Sequence, residues 1–245
     1  MEWTDQGIVL GVRKHGETSV VAELMTRERG RHLGLVHGGR SRTMRPILQP
    51  GNRVSATWRA RLDEHLGQFR IEADSLRAAR LMETDYGIYA LQTLVSHLRL
   101  LPERDAHRQL YETLDLVLDA LDTPAAAGEL VIRFELALLD ELGFGLDLET
   151  CAATGTRANL VSVSPRTVRA VSGSAAAPYA ARLLSLPSFL TTSQADRTSA
   201  ADAEALGQGF ALTGHFLHRN VFDARGIDPP TERDSLIRTV TRKTN

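Results

Sequence analysis

The chain has 245 residues, of which 42% are hydrophobic and 24% are charged, so it can form one large or two ordinary domains and is unlike a disordered protein. It lacks an apolar run of roughly 18 residues, which argues against a transmembrane helix. Cys151 is the single cysteine, so an internal disulfide is excluded and a reducing, cytoplasmic location is expected.

The formal net charge of −1 hides a strong asymmetry. Residues 1–80 carry 14 Lys or Arg against 9 Asp or Glu, and the rest of the chain is acidic. Within residues 27–61 the only acid is Glu28, and the arginines are Arg27, Arg29, Arg31, Arg40, Arg42, Arg45, Arg53, Arg59 and Arg61. A charge cluster is commonly just a solvated face, but one this dense in a nearly neutral chain predicts a footprint for a polyanion.

The first 75 residues alternate between apolar and polar positions, which is the period of β-strands. The clearest run is Arg53–Arg61, where Val54, Ala56 and Trp58 share one face and the arginines share the other. A slip of one residue would bury the arginines, so the register of this strand should be firm. Three such runs precede it and a fifth begins near Phe69.

A long basic link, Gly38–Asn52, separates the third run from the fourth, and we expect it to be polar and mobile. Five short strands with such a link are typical of an OB-type barrel. The sequence therefore predicts an α+β protein, with an N-terminal OB-fold β-barrel domain at residues 1–78 and an all-α helical domain at 79–245.

From residue 76 the apolar residues follow a helical period. Helices are predicted over Met82–Leu101, from Pro102 to Leu121, over Glu129–Leu142 and over Ala200–Phe222. Glu129–Leu142 is apolar almost all round, which predicts the central buried helix, and Gly143 is placed to cap it. Residues 151–180 are small and polar and are predicted to form an irregular insertion.

Motifs that would carry catalysis are missing from the sequence. There is no glycine-rich loop followed by Lys and Ser or Thr, and no GxGxxG after a strand, so neither an ATPase nor a dinucleotide cofactor is expected. His215 and His218 have a spacing that can hold a metal, but a wet helix face is the simpler interpretation. Cys151 is more simply a buried apolar residue than a nucleophile. We expect no enzyme activity, no cofactor and no metal.

The arginines are the remaining candidates, as DNA-binding residues. Three share the strand face of Arg53, three lie on the link, and Arg27, Arg29 and Arg31 lie on a hairpin. Arginine gives phosphate oxygens bidentate hydrogen bonds. Aromatic residues are scarce, and Trp58 and Phe69 should face the core, so binding should be electrostatic, tolerant of sequence, and open to single- and double-stranded DNA.

Two other functions fit the same pattern. The barrel could bind RNA, for instance in ribosome assembly, because its basic side chains attract the phosphates of RNA as well as those of DNA. The protein could also be an adaptor without direct DNA binding, whose acidic helical half docks partners.

The order of several short motifs resembles the RecO family of bacterial recombination mediators over nearly the whole chain. The matching segments are 7–10 with Arg13, 16–17, 26–30, 38–42, 48–51, 101–104 and 133–143. The resemblance implies an OB domain that binds DNA, a helical domain, and a cytoplasmic, nucleoid-associated role in DNA repair. It further implies annealing of complementary strands and, with RecR, loading of recombinase onto DNA coated by single-stranded-DNA-binding protein.

Some members of that family carry a four-cysteine zinc module in the helical domain. Here Cys151 occupies the first ligand position, whereas Thr154 stands at the second, and residues 169–179 supply no cysteine. Structural zinc requires four sulfur or nitrogen ligands, so the 151–180 insertion is expected to be zinc-less.

Overall fold

A computed structural model describes residues 1–62, 64–191 and 200–242. The chain divides into two compact units, Met1–Asp119 and Ala120–Asn245. The predicted boundary after residue 78 lies just beyond the last barrel strand, and the first unit also contains the helices up to Asp119. The assignment of residues 1–78 and 79–245 to two domains stays a prediction.

The first unit is built on a closed barrel. Its strands are β1 (Glu2–His15), β2 (Ser19–Thr26), β3 (Gly30–Val36), β4 (Arg53–Arg59) and β5 (Gln68–Ser75). They follow the order β1-β2-β3-β5-β4, and each pair is antiparallel except β3 and β5, which meet in parallel. β1 pairs with both β4 and β2, and its register with β2 shifts between Val9 and Gly11. This order confirms the predicted OB-type barrel.

The barrel core follows the predicted alternation in β4. Val54, Ala56 and Trp58 are fully buried, and Phe69 of β5 lies opposite Trp58. The indole Nε1 of Trp58 donates a hydrogen bond to the Leu66 carbonyl at 3.1 Å, which satisfies its one polar atom inside the core. The prediction that Trp58 and Phe69 face inward is therefore confirmed.

The link between β3 and β4 is more structured than its sequence indicated. It contains the short helix α1 (Met44–Ile47), and Leu48 is buried in the barrel core. The buried Asn52 amide donates to the carbonyls of Pro46 (2.8 Å) and Ile47 (3.1 Å) and accepts from Ala78 N (2.8 Å). The expectation of an irregular loop was wrong, because one apolar and one amide side chain attach the link to the barrel, whereas its mobility stays a prediction.

Three helices follow the barrel in the first unit: α2 (Ala78–Leu81), α3 (Asp85–Leu98) and α4 (Arg108–Asp119). The start of α4 is six residues later than Pro102 would place it. Arg104 has a φ of 64°, and its backbone N donates to the Arg31 carbonyl at 2.8 Å, so this stretch runs beside β3 before turning helical.

The second unit centres on α5 (Pro124–Glu141), as predicted, with α7 (Ala203–Leu217) and α9 (Thr231–Val240) packed against it. α5 begins earlier than expected because Thr123 Oγ1 accepts a hydrogen bond from Ala126 N. It ends as predicted at Gly143, whose φ is 83°, with Phe144 N donating to the Leu139 carbonyl at 2.7 Å. α7 continues through a π-turn (His218–Phe222) into α8 (Asp223–Arg225).

The segment predicted to be irregular, residues 151–180, contains two strands of a small antiparallel sheet, and the third strand follows it. Its strands are β6 (Leu160–Val163), β7 (Ala170–Ser172) and β8 (Leu184–Ser185), in the order β7-β6-β8, and α6 (Gly173–Ala176) follows β7. Strands this short span too few residues to show a period of two, which is why the sequence pattern missed them.

None of the helices within the described ranges has the length and apolar character needed to cross a bilayer.

Candidate nucleic-acid interface

The nine predicted arginines fall into two groups according to their ion pairs. Four are paired with carboxylates: Arg27, Arg31, Arg53 and Arg59. Arg31 Nη1 lies 2.9 Å from Glu23 Oε1, and each side chain is only 14% exposed. Arg53 lies 2.6 Å from both Asp74 and Asp115, and these carboxylates raise the pKa of Arg53 above its usual value. Arg31 and Arg53 thus have their charge compensated within the barrel unit.

The other two paired arginines are more exposed. Arg27 Nη2 lies 2.9 Å from Glu112 Oε1, and the hydrogen bonds from Arg27 and then Arg108 lower the pKa of Glu112. Arg59 holds Glu2 with bonds from Nε (3.1 Å) and Nη2 (2.8 Å). These pairs lie at the surface, where water and salt screen them.

The remaining five arginines are exposed, and no ion pair reaches them from the described part of the chain: Arg29, Arg40, Arg42, Arg45 and Arg61. Three of them lie on the link. Arg29 lies apart on the β2–β3 turn with its guanidinium 6.0 Å from the ring centre of Trp3, and Arg61 follows β4. The structure therefore groups the three link arginines and separates them from Arg29.

Hydrogen bonds from Arg40 join the link to the β1–β2 hairpin. Its backbone N donates to the Thr18 carbonyl at 3.0 Å, and its Nη1 donates to the carbonyls of Glu17 (2.5 Å) and Gly16 (3.4 Å). These acceptors are uncharged, so the positive charge of Arg40 is retained. The hairpin end of β1 carries Arg13 and Lys14. The hydrogen bonds of Arg40 therefore bring the link arginines next to two further cations.

We call Arg13, Lys14, Arg40, Arg42 and Arg45 the hairpin–link surface. All five are exposed, and none forms an ion pair with the residues that the structure describes. Glu17 is the single acid of the hairpin tip in the sequence. The sequence analysis missed Arg13 and Lys14, although two adjacent basic residues at the end of an alternating run were a usable signal.

A groove of about 710 Å³, which we call the strand groove, lies on the outside of the barrel beside the link. It is lined by residues of β1, β4 and β5, by the end of β3 with the residue after it, and by Met44 of the link: Glu2, Thr4, Val36, His37, Met44, Ser55, Thr57, Arg59, Gln68, Phe69, Arg70, Ile71 and Glu72. Its hydroxyl and arginine side chains can donate hydrogen bonds to phosphate oxygens, and Glu2 and Glu72 are the acids of the lining.

The barrel aromatics are used mainly for packing. Trp3 stacks on Trp58 with ring centres 5.6 Å apart, and His32 and Phe69 meet Trp3 edge to face. Trp58 is fully buried and Phe69 is 4% exposed, so neither offers a free ring face to a base. This arrangement favours electrostatic contacts with phosphates over extensive stacking with bases as the way in which the barrel could bind a nucleic acid.

The 151–180 insertion is held together by hydrogen bonds in the place where a zinc module would be. Cys151 Sγ accepts a hydrogen bond from Ser172 N at 3.2 Å and lies 3.4 Å from Ser172 Oγ. Hydrogen bonds from Ser172 and Thr154 lower the pKa of Cys151 to about 6, against the opposing effect of burial. One thiol surrounded by hydroxyls is a poor zinc donor set, so these residues do not fit the metal.

A second cluster orders the loop before β6. Asp147 accepts hydrogen bonds from Arg169 Nε (3.0 Å), Thr150 Oγ1 (2.8 Å) and Glu149 N (3.1 Å). These bonds, that from Thr150 first, lower the pKa of Asp147 to about 2. Within residues 1–62, 64–191 and 200–242, no group of three or more His, Cys, Asp or Glu side chains could hold a metal ion, and this includes His215 and His218.

Comparison with known proteins decides the family. The model described as "Recombination protein O N terminal" matches residues 1–75, and "Recombination protein O C terminal" matches residues 86–226. The chain is 57% identical over 242 residues to a protein of Agrobacterium fabrum named DNA repair protein RecO, covering 99% of this chain and 94% of that one. The chain belongs to the RecO family.

Other RecO relatives are equally similar. Proteins with the same name from Rhizobium etli and Mesorhizobium japonicum are each 57% identical, covering 100% and 97% of this chain and 94% and 92% of their own lengths. Membership of the RecO family places this protein in DNA repair and recombination. The barrel and the helical region correspond to the two RecO family models.

Proposed function

We propose that this protein binds single- and double-stranded DNA through the hairpin–link surface and acts in recombination as a non-enzymatic mediator. The observation that carries the proposal is the attachment of Arg40 to the β1–β2 hairpin, which unites exposed cations from two separate segments. Cations spread over such a surface contact phosphates without reading base edges, so binding should tolerate any sequence.

The direct test is a titration of labelled DNA at several salt concentrations. The logarithm of affinity should fall with a slope of about −0.7 per phosphate contacted on a single strand. Replacing Arg40, Arg42 and Arg45 with Ala should weaken binding and make the slope shallower by about 2. A flat salt response in the wild-type protein would contradict the proposal.

A matched control removes the same charge from ion-paired arginines. Arg27, Arg99 and Arg108 are each paired with a carboxylate of the same unit, so their replacement by Ala should change DNA affinity much less. Equal losses in the two triple variants would show that only net charge matters. Competition between matched DNA and RNA strands tests the RNA alternative.

We further propose that the protein anneals complementary strands and, with RecR, helps load recombinase onto DNA coated by single-stranded-DNA-binding protein. Family membership supports this role. Annealing should be measured on strands coated by that protein, with and without RecR, and the hairpin–link triple variant should anneal more slowly. Because the proposed role involves no chemistry, no ATP should be hydrolysed in these reactions.

A further inference from the structure

We propose that one extended DNA strand binds along the strand groove. In the free protein, the carboxylates of Glu2 and Glu72 occupy the positions beside Arg59 and Arg70 that DNA phosphates take on binding. This inference rests on the proposed function and deepens it, because it assigns a path and a competitor for the strand. It differs from the hairpin–link surface, which lies on the hairpin tip and the link.

The lining of the strand groove matches the two chemistries of a nucleic-acid strand. Thr4, Ser55 and Thr57 present hydroxyls, and the Oγ1 atoms of Thr4 and Thr57 lie 2.9 Å apart. Hydroxyls donate to phosphate and sugar oxygens. The half-buried side chain of Met44 on the link adds apolar surface that a base can contact.

A second depression of about 390 Å³ shares Arg59 and Gln68 with the strand groove and extends it to Arg61 and His65. The two depressions adjoin at Arg59 and Gln68 and together extend from Met44 on the link to the turn after β4. A flexible single strand can follow the side chains of both depressions, whereas a stiff duplex should contact fewer of them.

Two ion pairs line the strand groove. Arg59 makes a bidentate contact with Glu2, from Nε to Oε2 (3.1 Å) and from Nη2 to Oε1 (2.8 Å), and Arg70 Nη2 lies 3.3 Å from Glu72 Oε1. Bidentate contact with two oxygens is also how arginine binds phosphate. The arginine and glutamate side chains are 71% and 49% exposed in the first pair and 82% and 67% exposed in the second. Because exposed ion pairs are weak, replacing the carboxylate with a phosphate costs little free energy.

The consequence is that removing either carboxylate should improve binding. In the full-length protein, Glu2→Gln and Glu72→Gln should each tighten binding of a labelled oligo(dT) of about 20 nucleotides, a length above the ~4–16 that one OB fold covers. The expected gain in affinity is about two- to fivefold per variant, because DNA binding no longer has to break a surface ion pair between the glutamate and its arginine. Binding of a duplex of equal length should change less.

The matched control is Glu28→Gln. Glu28 has the same exposure as Glu2 (51% against 49%) and pairs with Arg108, but it does not line the strand groove. The inference is supported if the two groove variants, and not Glu28→Gln, bind oligo(dT) more tightly. It is overturned if the groove variants bind like wild type, or if all three variants gain equally.

The outcome also separates this inference from the function on which it rests. If the hairpin–link triple variant loses DNA binding while Glu2→Gln and Glu72→Gln change nothing, the protein binds DNA but the strand does not follow the groove. If the wild-type protein binds neither oligo(dT) nor duplex, the proposed function and the proposed path of the strand both fail.

Discussion

Arg233 on α9 and Glu135 on α5 form a buried ion pair, with Arg233 Nε donating to Glu135 Oε1 at 2.7 Å. Their side chains are 9% and 0% exposed. Arg233 Nη2 also donates to the Phe210 carbonyl at 2.9 Å, and Thr213 Oγ1 donates to Glu135. The pair therefore ties three helices of the second unit together, and α9 lies beyond the residues matched by the family model.

Replacing Arg233 with Met should lower the free energy of unfolding by about 3–5 kcal/mol, because Glu135 would stay buried without a counter-charge. Denaturant unfolding followed by circular dichroism measures this. The control is Arg238→Met on the same helix, where a shift within about 0.5 kcal/mol is expected at an exposed site. Similar losses of unfolding free energy at the two positions would show that the buried ion pair contributes no more to stability than an exposed arginine does.

The thiol of Cys151 should titrate at about pH 6, because hydrogen bonds from Ser172 and Thr154 favour the thiolate. Ser172→Ala should move the pKa toward the ordinary value of about 8.5. Ultraviolet absorbance of the thiolate against pH reports the change. Ser174→Ala, an exposed serine two residues along, is the control and should leave the titration unchanged.

The same pKa predicts how stability depends on pH. Because the pKa of Cys151 is lower in the folded than in the unfolded protein, its contribution is complete above pH ~8.5 and is lost as the pH falls toward 6. Relative to Cys151→Ser, the wild-type free energy of unfolding should therefore rise from pH 6 to pH ~8.5. A constant difference between the two proteins would contradict the assignment.

Arg53 should matter for stability rather than for DNA. Its replacement by Ala leaves Asp74 without this cation and Asp115 with Arg77 alone, and a loss of about 1–3 kcal/mol in unfolding free energy is expected. Arg42→Ala, at an exposed position of the link, should leave stability unchanged and weaken DNA binding. Measuring unfolding and DNA affinity for both variants tests the division. It fails if Arg53→Ala weakens binding at full stability.

Gly30 and Gly38 should respond differently to the same substitution. Both have positive φ, 66° and 64°, so Ala at either position should cost about 1–2 kcal/mol of backbone strain. At Gly30 the new Cβ would also lie 1.7 Å from the Asp105 carbonyl oxygen, whereas at Gly38 it would meet nothing within 4 Å. Thermal unfolding should show the larger loss for Gly30→Ala, and equal losses would contradict the close approach.

Local patterns were sufficient to predict the barrel and the main helices. The alternation in β4 fixed its register, because a slip would have exchanged Trp58 for arginines. The apolar character of α5 and the glycine after it identified the central helix and its end. The start of α4 could not be predicted this way, because it depends on a backbone contact between Arg104 and Arg31.

The sequence by itself determined that the N-terminal barrel is basic and that apolar and polar residues alternate along its strands. It also determined that Cys151 lacks the cysteine partners of a zinc site. Only the tertiary structure decided which arginines of the barrel are paired with carboxylates. Arg53 is neutralised by Asp115, 62 residues away, and Arg59 meets Glu2, 57 residues away, whereas Arg40 joins the hairpin that carries Arg13. Charge depends on composition, but its compensation depends on distances that only folding sets.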